Sequence, residues 1–350
     1  MKYRSSRPGR QLSDQRGAAL VVAMLIFALC TALIVAMKSE FMLFYQRGAN
    51  TFIAEQAHAY LRGAEELASL FLVQDFERDQ SREHPRDDLQ EPWAQPATPY
   101  TLDDGGWLVG GLEDLQGRFN LNNLKAAEGD QVPGQERVFT AHQQQFIRLL
   151  QALENNPVDQ QMAIQITEAI GDWIDVDNRP RLYGAEDDYY YVRTPAYRAA
   201  NRPMRSVSEL QAIAYVTPQI YHQLKQWVTV WPVEGAKLNI HTASLMLLRT
   251  INEDNDLNPL SMVEGEMLVE ARKQQPFQSI EAFLEHPILE VKDMEKLKPQ
   301  LGESSDYFLL DAKAEVAERT TRLYSVLHRN QREVATVMRV GASAYVNNEF

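Results

Sequence analysis

QRGAALVVAMLIFALCTALIVAM, residues 15–37, is the stretch whose reading decides the architecture of this chain. From Ala18 to Met37 it runs for 20 residues without a charge. At about 1.5 Å of rise per helical residue, such a run crosses the ~30 Å hydrocarbon layer of a bilayer. Lys2, Arg4, Arg7, Arg10 and Arg16 precede it against Asp14 alone, a local charge of +4 that holds the leader in the cytoplasm. Everything after Met37 is then exported. A cleavable secretory signal has an apolar core of roughly 7–15 residues that ends in a small-x-small site, and this run is longer. An uncleaved anchor is the plain alternative.

The whole chain has 350 residues, 45% of them apolar, enough for a sizeable core in one large domain or two to three ordinary ones. Thirty-five Lys and Arg against 48 Asp and Glu give −13, and without the first 17 residues the balance is −17. This is the wrong sign for a protein that grips phosphate backbones, so no nucleic acid is expected as a partner. Cys30 is the sole cysteine, which excludes an intramolecular disulfide and a cysteine-based zinc site.

Gln15-Arg16-Gly17 stands directly before the apolar run, so a cut between Gly17 and Ala18 would remove the basic leader and leave the span as a new N-terminus. Ser39 to Gln74 continues without proline and carries Phe41, Phe44, Tyr45, Phe52, Ala57, Leu61, Leu67 and Leu70 at helical spacing, which extends the span into one long helix. In these features the chain resembles the type IV pilin and pseudopilin superfamily, whose leader is removed by a prepilin peptidase and whose new N-terminus is methylated. Two positions depart from the usual pattern: Ala18 stands where Phe is usual, and Val22 where a Glu is usual. An unpaired carboxylate at membrane depth costs several kcal/mol unless a neighbouring subunit's terminal ammonium meets it. A subunit with nothing above it lacks that partner, so Val22 suits a filament tip.

Residues 76–99 are charged and proline-bearing without sustained periodicity, and read as an exposed linker. Trp107, Val109 and Leu112, set among glycines, read as a hairpin leading into Gly117–Asn122. From Thr140 the period becomes helical, with a Thr140-x-x-Gln143 capping box before Phe146, Leu149, Leu150 and Leu153, and a second stripe of Met162, Ile166, Ile170 and Trp173. Beyond Gly302 the period falls to two: Phe308, Leu310, Ala312, Ala314 and Val316 alternate with Leu309, Asp311, Lys313 and Glu315. Runs at Leu323–Leu327 and Val334–Val340 flank a turn read at Arg329-Asn330-Gln331. The middle also holds a weak repeat. Phe119-Asn120-Leu121-Asn122 is echoed by Leu238-Asn239-Ile240-His241, and Pro203–Leu210 by Pro276–Leu284, each copy ending in the same Ser-led helix start.

This order resembles the minor pseudopilin K family of type II secretion systems. The resemblance implies an α+β, pilin-like fold, a long N-terminal helix plus an antiparallel sheet, with a large all-α insertion of two SAM-like modules. The expected divisions are a cleaved leader at 1–17, a transmembrane segment at 18–37, a stalk helix at 38–75, the linker at 76–99, the sheet at 100–125 and 302–350, and the insertion at 126–301. Within the insertion, 126–232 is the first module and 233–301 the second. The implied location is the inner membrane, single-pass, with the body in the periplasm. The implied partners are prepilin peptidase, the minor pseudopilins I and J, then H, and the major pseudopilin. The implied role is a non-enzymatic tip subunit that helps to start the filament and export folded proteins across the outer membrane. A single-span periplasmic binding protein and the tip minor pilin of a type IV pilus are the alternatives.

Asp172–Asp188 packs six carboxylates and two arginines into 17 positions, inside a longer acidic loop, 172–206. Asp175, Asp177 and Glu186 stand at loop positions 1, 3 and 12, an arrangement able to converge oxygens on a calcium ion, although Pro180 occupies the place of an EF-hand's position-6 glycine. A solvated acidic loop is the bland reading. The family resemblance implies structural calcium held by Asp175, Asp177, Glu186 and Asp187, with Asp172 and Asp188 as further candidates. Trp173 and Tyr189–Tyr191 read as the loop's hydrophobic floor, and His241 as a packed or capping residue. No nucleotide-binding, nucleophile-elbow or zinc-protease motif occurs, and the seven histidines are scattered singly, so no enzymatic activity is expected.

Overall fold

The computed structural model describes residues 16–103, 105–125, 139–154, 157–252, 256–289 and 294–343. Residues 1–15 of the expected leader, and 126–138 at the start of the expected insertion, lie outside the described residues. The chain divides into two compact units, Met1–Gln56 and Ala57–Phe350.

Helix α1 spans Arg16–Asp79, 64 residues. In the first unit every side chain described from Gly17 to Gly48 is exposed, Val22 included, and the helix is long and apolar enough to cross a membrane, with a mean hydropathy of 2.9 in its most apolar window. In the second unit α1 buries a stripe of Ala57, Leu61, Ala64, Ala68 and Leu72, steps of three and four that place them on one face.

Along the rest of the chain come β1 (Tyr100–Thr101), β2 (Trp107–Asp114), β3 (Phe119–Asn120), α2 (Ala141–Ala152), α3 (Gln160–Ile174), α4 (Asp187–Tyr191), α5 (Pro218–Leu224), β4 (Val228–Thr229) and β5 (Leu238–Asn239). Next are α6 (Leu245–Leu248), α7 (Met262–Gln274), α8 (Ile280–Leu284), α9 (Met294–Leu297), β6 (Leu301–Gly302), β7 (Tyr307–Val316), β8 (Arg319–Asn330) and β9 (Glu333–Ser343). The antiparallel sheet has the order β1-β2-β7-β8-β9. Strands β2 and β7 are adjacent in space and separated in sequence by the helical body, which makes that body an insertion into a pilin-like α+β fold. The hairpin before β2 needs glycine at Gly106: its φ is +97°, and an added Cβ would sit 2.0 Å from the Glu315 carbonyl oxygen.

One sheet face, Phe308, Leu310, Ala312, Ala314, Leu323 and Leu327, packs on the α1 stripe and Trp93. Leu309, expected on the polar face, is also buried. It joins Leu115, Tyr324 and Val326 with Trp231 packed against them, because the insertion covers that end of the opposite face. The turn between β8 and β9 is Gln331-Arg332, so Arg329 is not a turn residue; it lies within β8 and is buried.

The insertion is not wholly α-helical. Two short parallel pairs close it, β3 with β4 and β5 with β6. These pairs explain the sequence repeat. In each copy the asparagine side chain accepts from the backbone N–H two residues on, Asn120 from Asn122 and Asn239 from His241, both at 2.9 Å. In each copy a serine then caps a short helical turn: Ser206, through a capping box with Glu209, and Ser279, which accepts from Ala282 N–H. One contiguous apolar core runs from Phe119 to Leu301 through both copies.

The linker is exposed over most of its length, as expected, but it buries Asp79, Asp87, Asp88, Glu91 and Trp93. Arg329 donates to Asp75 at 3.2 Å, to both oxygens of Asp87 at 2.5 and 2.7 Å, and to the Ser305 carbonyl at 2.8 Å. Glu91 accepts from the Trp93 indole at 2.9 Å and Asp88 N–H at 3.1 Å, and Trp93 meets Phe308 edge-on. Charge made these residues look solvated; paired charges allow them to be interior.

Candidate metal centre

The acidic loop starts where α3 stops. Asp159 caps the helix by accepting from Met162 N–H at 3.1 Å, and Asp175 leaves it in extended conformation. Arg181 then folds back over the last helical turn. Its backbone N–H donates to Asp172 at 3.1 Å, its guanidinium pairs with Asp172, and a second nitrogen lies 2.9 Å from Asp175. This return needs small residues: a Cβ on Gly184 would fall 1.7 Å from an Asp172 oxygen, and one on Gly171 2.9 Å from the Arg181 guanidinium.

The fold brings the carboxylates of Asp175, Asp177 and Glu186 within 4.8 Å of one another. The other three candidates are placed apart from this group. Asp172 is turned to Arg181, Asp187 accepts from Ala199 N–H at 3.1 Å with Arg198 at 3.9 Å, and Asp188 is exposed. Asp177 accepts from Arg179 N–H at 2.8 Å and stays open to solvent.

Glu186 is 3% exposed and neither of its carboxylate oxygens has a hydrogen-bond partner; Asp175 Oδ1 is buried and unpartnered too. Burial, then the charges of Asp172, Asp175, Asp177 and Asp187, push the Glu186 carboxyl up to about 8. Burial also raises Asp175, against the pull of Arg181. A buried carboxylate without donors is stable only if it takes a proton or a cation. The donor set is all oxygen, with no imidazole or thiolate, and fits a hard divalent cation rather than zinc.

Asn201 was missed by sequence reasoning. Its amide donates to the Asp177 carbonyl at 2.9 Å, and its own Oδ1 is buried and unpartnered, a further neutral oxygen beside the loop. Its backbone φ of 44° is a conformation asparagine tolerates, the only signal the residue type carries. The aromatic floor is Trp173 and Tyr190, both buried, with centroids 5.3 Å apart, and Tyr197 stacked on Tyr190; Tyr191 is exposed.

A second acidic group, Asp75, Asp79, Asp87 and Glu91, was also missed, because three of its four members lie in the supposed linker. Arg329 and Arg82 already lie among these carboxylates, which makes the group an ion-pair network locking α1 to the linker and β8. Burial and the charges of Glu91 and Asp87 push Asp75 up to about 8, and burial with Glu91 pushes Asp79 up to about 7.

Two family models described as type II secretion system protein K match residues 117–233 and 238–304. A protein K of Klebsiella pneumoniae is 32% identical over 93% of this chain and 96% of its own length. One from Pseudomonas aeruginosa is 32% identical over 91% of this chain and 90% of its own. The solved GspK-GspI-GspJ complex of the enterotoxigenic Escherichia coli type 2 secretion system contains a chain that superposes with a TM-score of 0.68 at 24% identity, covering 85% of this chain and 100% of that one. That likeness extends the pilin-like fold to both, and the sequence relationship carries the rest: this chain belongs to the type II secretion system protein K family.

Proposed function

We propose that this chain is a non-enzymatic minor pseudopilin at the tip of the type II secretion pseudopilus, anchored in the inner membrane with its body in the periplasm. The observation that carries the reading is the insertion between the paired strands β2 and β7. It loads a pilin-like sheet with a helical body that hinders stacking of a further subunit above. Val22 supports it, since an apolar residue there leaves no charge in need of a subunit above. The proposed partners are proteins I and J, then H and the major pseudopilin; the solved complex of relatives holds its K with I and J. Prepilin peptidase would cut between Gly17 and Ala18, and the two helical copies, 126–232 and 233–301, would be SAM-like modules.

The proposed resident ion is structural calcium. Asp175, Asp177 and Glu186 would hold it, with Asn201 Oδ1 as a neutral ligand and Asp187 adjoining, while Arg181 neutralises Asp172. Bound calcium would supply the positive charge that Glu186 lacks and tie the loop after α3 to the core.

The test is the N-terminal sequence and co-purification of the membrane-extracted full chain, from cells with and without prepilin peptidase. A peptidase-dependent start at Ala18 together with recovery of I and J is expected. A Met1 terminus in both strains without I and J would instead favour a single-span periplasmic binding protein, and recovery with type IV pilus subunits a pilus tip.

A further inference from the structure

His241 is 1% exposed, and neither of its ring nitrogens has a hydrogen-bond partner. A buried polar group left without a hydrogen bond is costly, and a neutral imidazole presents one donor and one acceptor. The ring lines a cavity of about 190 Å³ with Leu89, Gln90, Arg272, Lys273 and Pro276. About 10–15 Å³ already holds one water, so the space admits a carboxyl group on a short aliphatic stem.

The charges around it favour an anion. Arg272 is buried at the end of α7 and donates from Nη1 to the carbonyls of Ile240 at 2.9 Å and Ala243 at 2.7 Å, and among the described residues Nε and Nη2 make no hydrogen bond. No carboxylate pairs with it among the described residues. Asp88, also on the wall, is already satisfied by Arg86 at 3.0 Å and by Gln90 N–H at 2.8 Å. Lys273 adds a second cation, and Leu89 and Pro276 supply an apolar wall. A guanidinium with open donors beside an imidazole is suited to a carboxylate, which accepts from both.

We propose that this cavity binds an aliphatic carboxylate, which accepts from Arg272 and His241 and lays its stem against Leu89 and Pro276. The carboxylate can come from a free short-chain acid or from the C-terminus of a polypeptide. The site is independent of the acidic loop and of the tip assignment.

The test uses the full chain in lipid nanodiscs with 13C-labelled histidine, the His241 signal being identified by its loss in His241→Gln. Butyrate should shift that signal with a Kd of about 1 mM or tighter, and butyramide should not. Acetyl-leucine, compared with its amide, reports the chain-terminal source: tighter binding than butyrate selects a polypeptide, and weaker binding a free acid. Leu89→Trp, at a half-exposed position on the wall, should weaken butyrate by at least ~10-fold while leaving the thermal midpoint unchanged. Lys273→Ser should weaken it without filling the cavity. No shift up to about 50 mM butyrate, equal binding of acid and amide, or wild-type binding by both variants would overturn the proposal.

Discussion

Glu186 and Asp79 show how a single carboxylate acquires meaning from its surroundings. Glu186 has no donor, so its charge calls for a cation. A ligand that binds only the folded chain stabilises it by RT ln(1 + [L]/Kd), about 2.7 kcal/mol at 100 times Kd. Chelator should therefore lower the thermal midpoint of the wild type, and Glu186→Gln should show little response to calcium or chelator; an equal calcium response in both proteins would remove Glu186 from the ligand set. Asp79 differs, because it sits among Arg82, Arg329, Asp75, Asp87 and Glu91. Burial raises its folded-state value from 3.8 to about 7. The folded chain thus holds a proton that the unfolded chain has released, and that contribution to stability is complete below about 4 and is lost as pH rises through about 7. Wild-type midpoints should fall over that window, and Asp79→Asn should fall less; parallel slopes would sink the assignment.

Among the elements, α1 was readable through its periodicity, and the alternation in β7 named five of its inward residues correctly. Which face of α1 meets the sheet is visible only in the packed structure. Leu72, fully buried against Phe308 and Leu327, sits on that face. Leu72→Ala should cost about 2–5 kcal/mol in denaturant unfolding, and a loss below ~1 kcal/mol would place Leu72 outside the core. Arg329 and the buried residues of the linker were missed for one reason: charge was taken as exposure, whereas here Asp75, Asp79, Asp87 and Glu91 are buried together with Arg329, and Arg82 pairs with them from the surface. Leu309 failed because alternation predicts one covered face, and the insertion covers part of the other.

For the whole molecule, the tip reading makes Val22 a position of assembly rather than of folding. Val22→Glu should leave the thermal midpoint of the body unchanged, since the side chain is exposed in the first unit, yet it should reduce secretion of folded substrates by placing an unpartnered charge at membrane depth. Unchanged secretion, measured as substrate in medium against periplasm, would show that Val22 is merely lipid-facing. The sequence by itself determined the 20-residue apolar run, the long helix, the β-to-α-to-β order, the Asn and Ser repeat and the acidic loop. Each of these is written in local periodicity or in residues within one loop's reach. Only the tertiary structure decided which carboxylates converge, that Asn201 joins Asp177, that Arg329 reaches Asp75 and Asp87, and that His241 and Arg272 share a cavity. Those contacts join residues up to 254 positions apart, and no short-range pattern encodes the meeting of groups that only a folded core brings together.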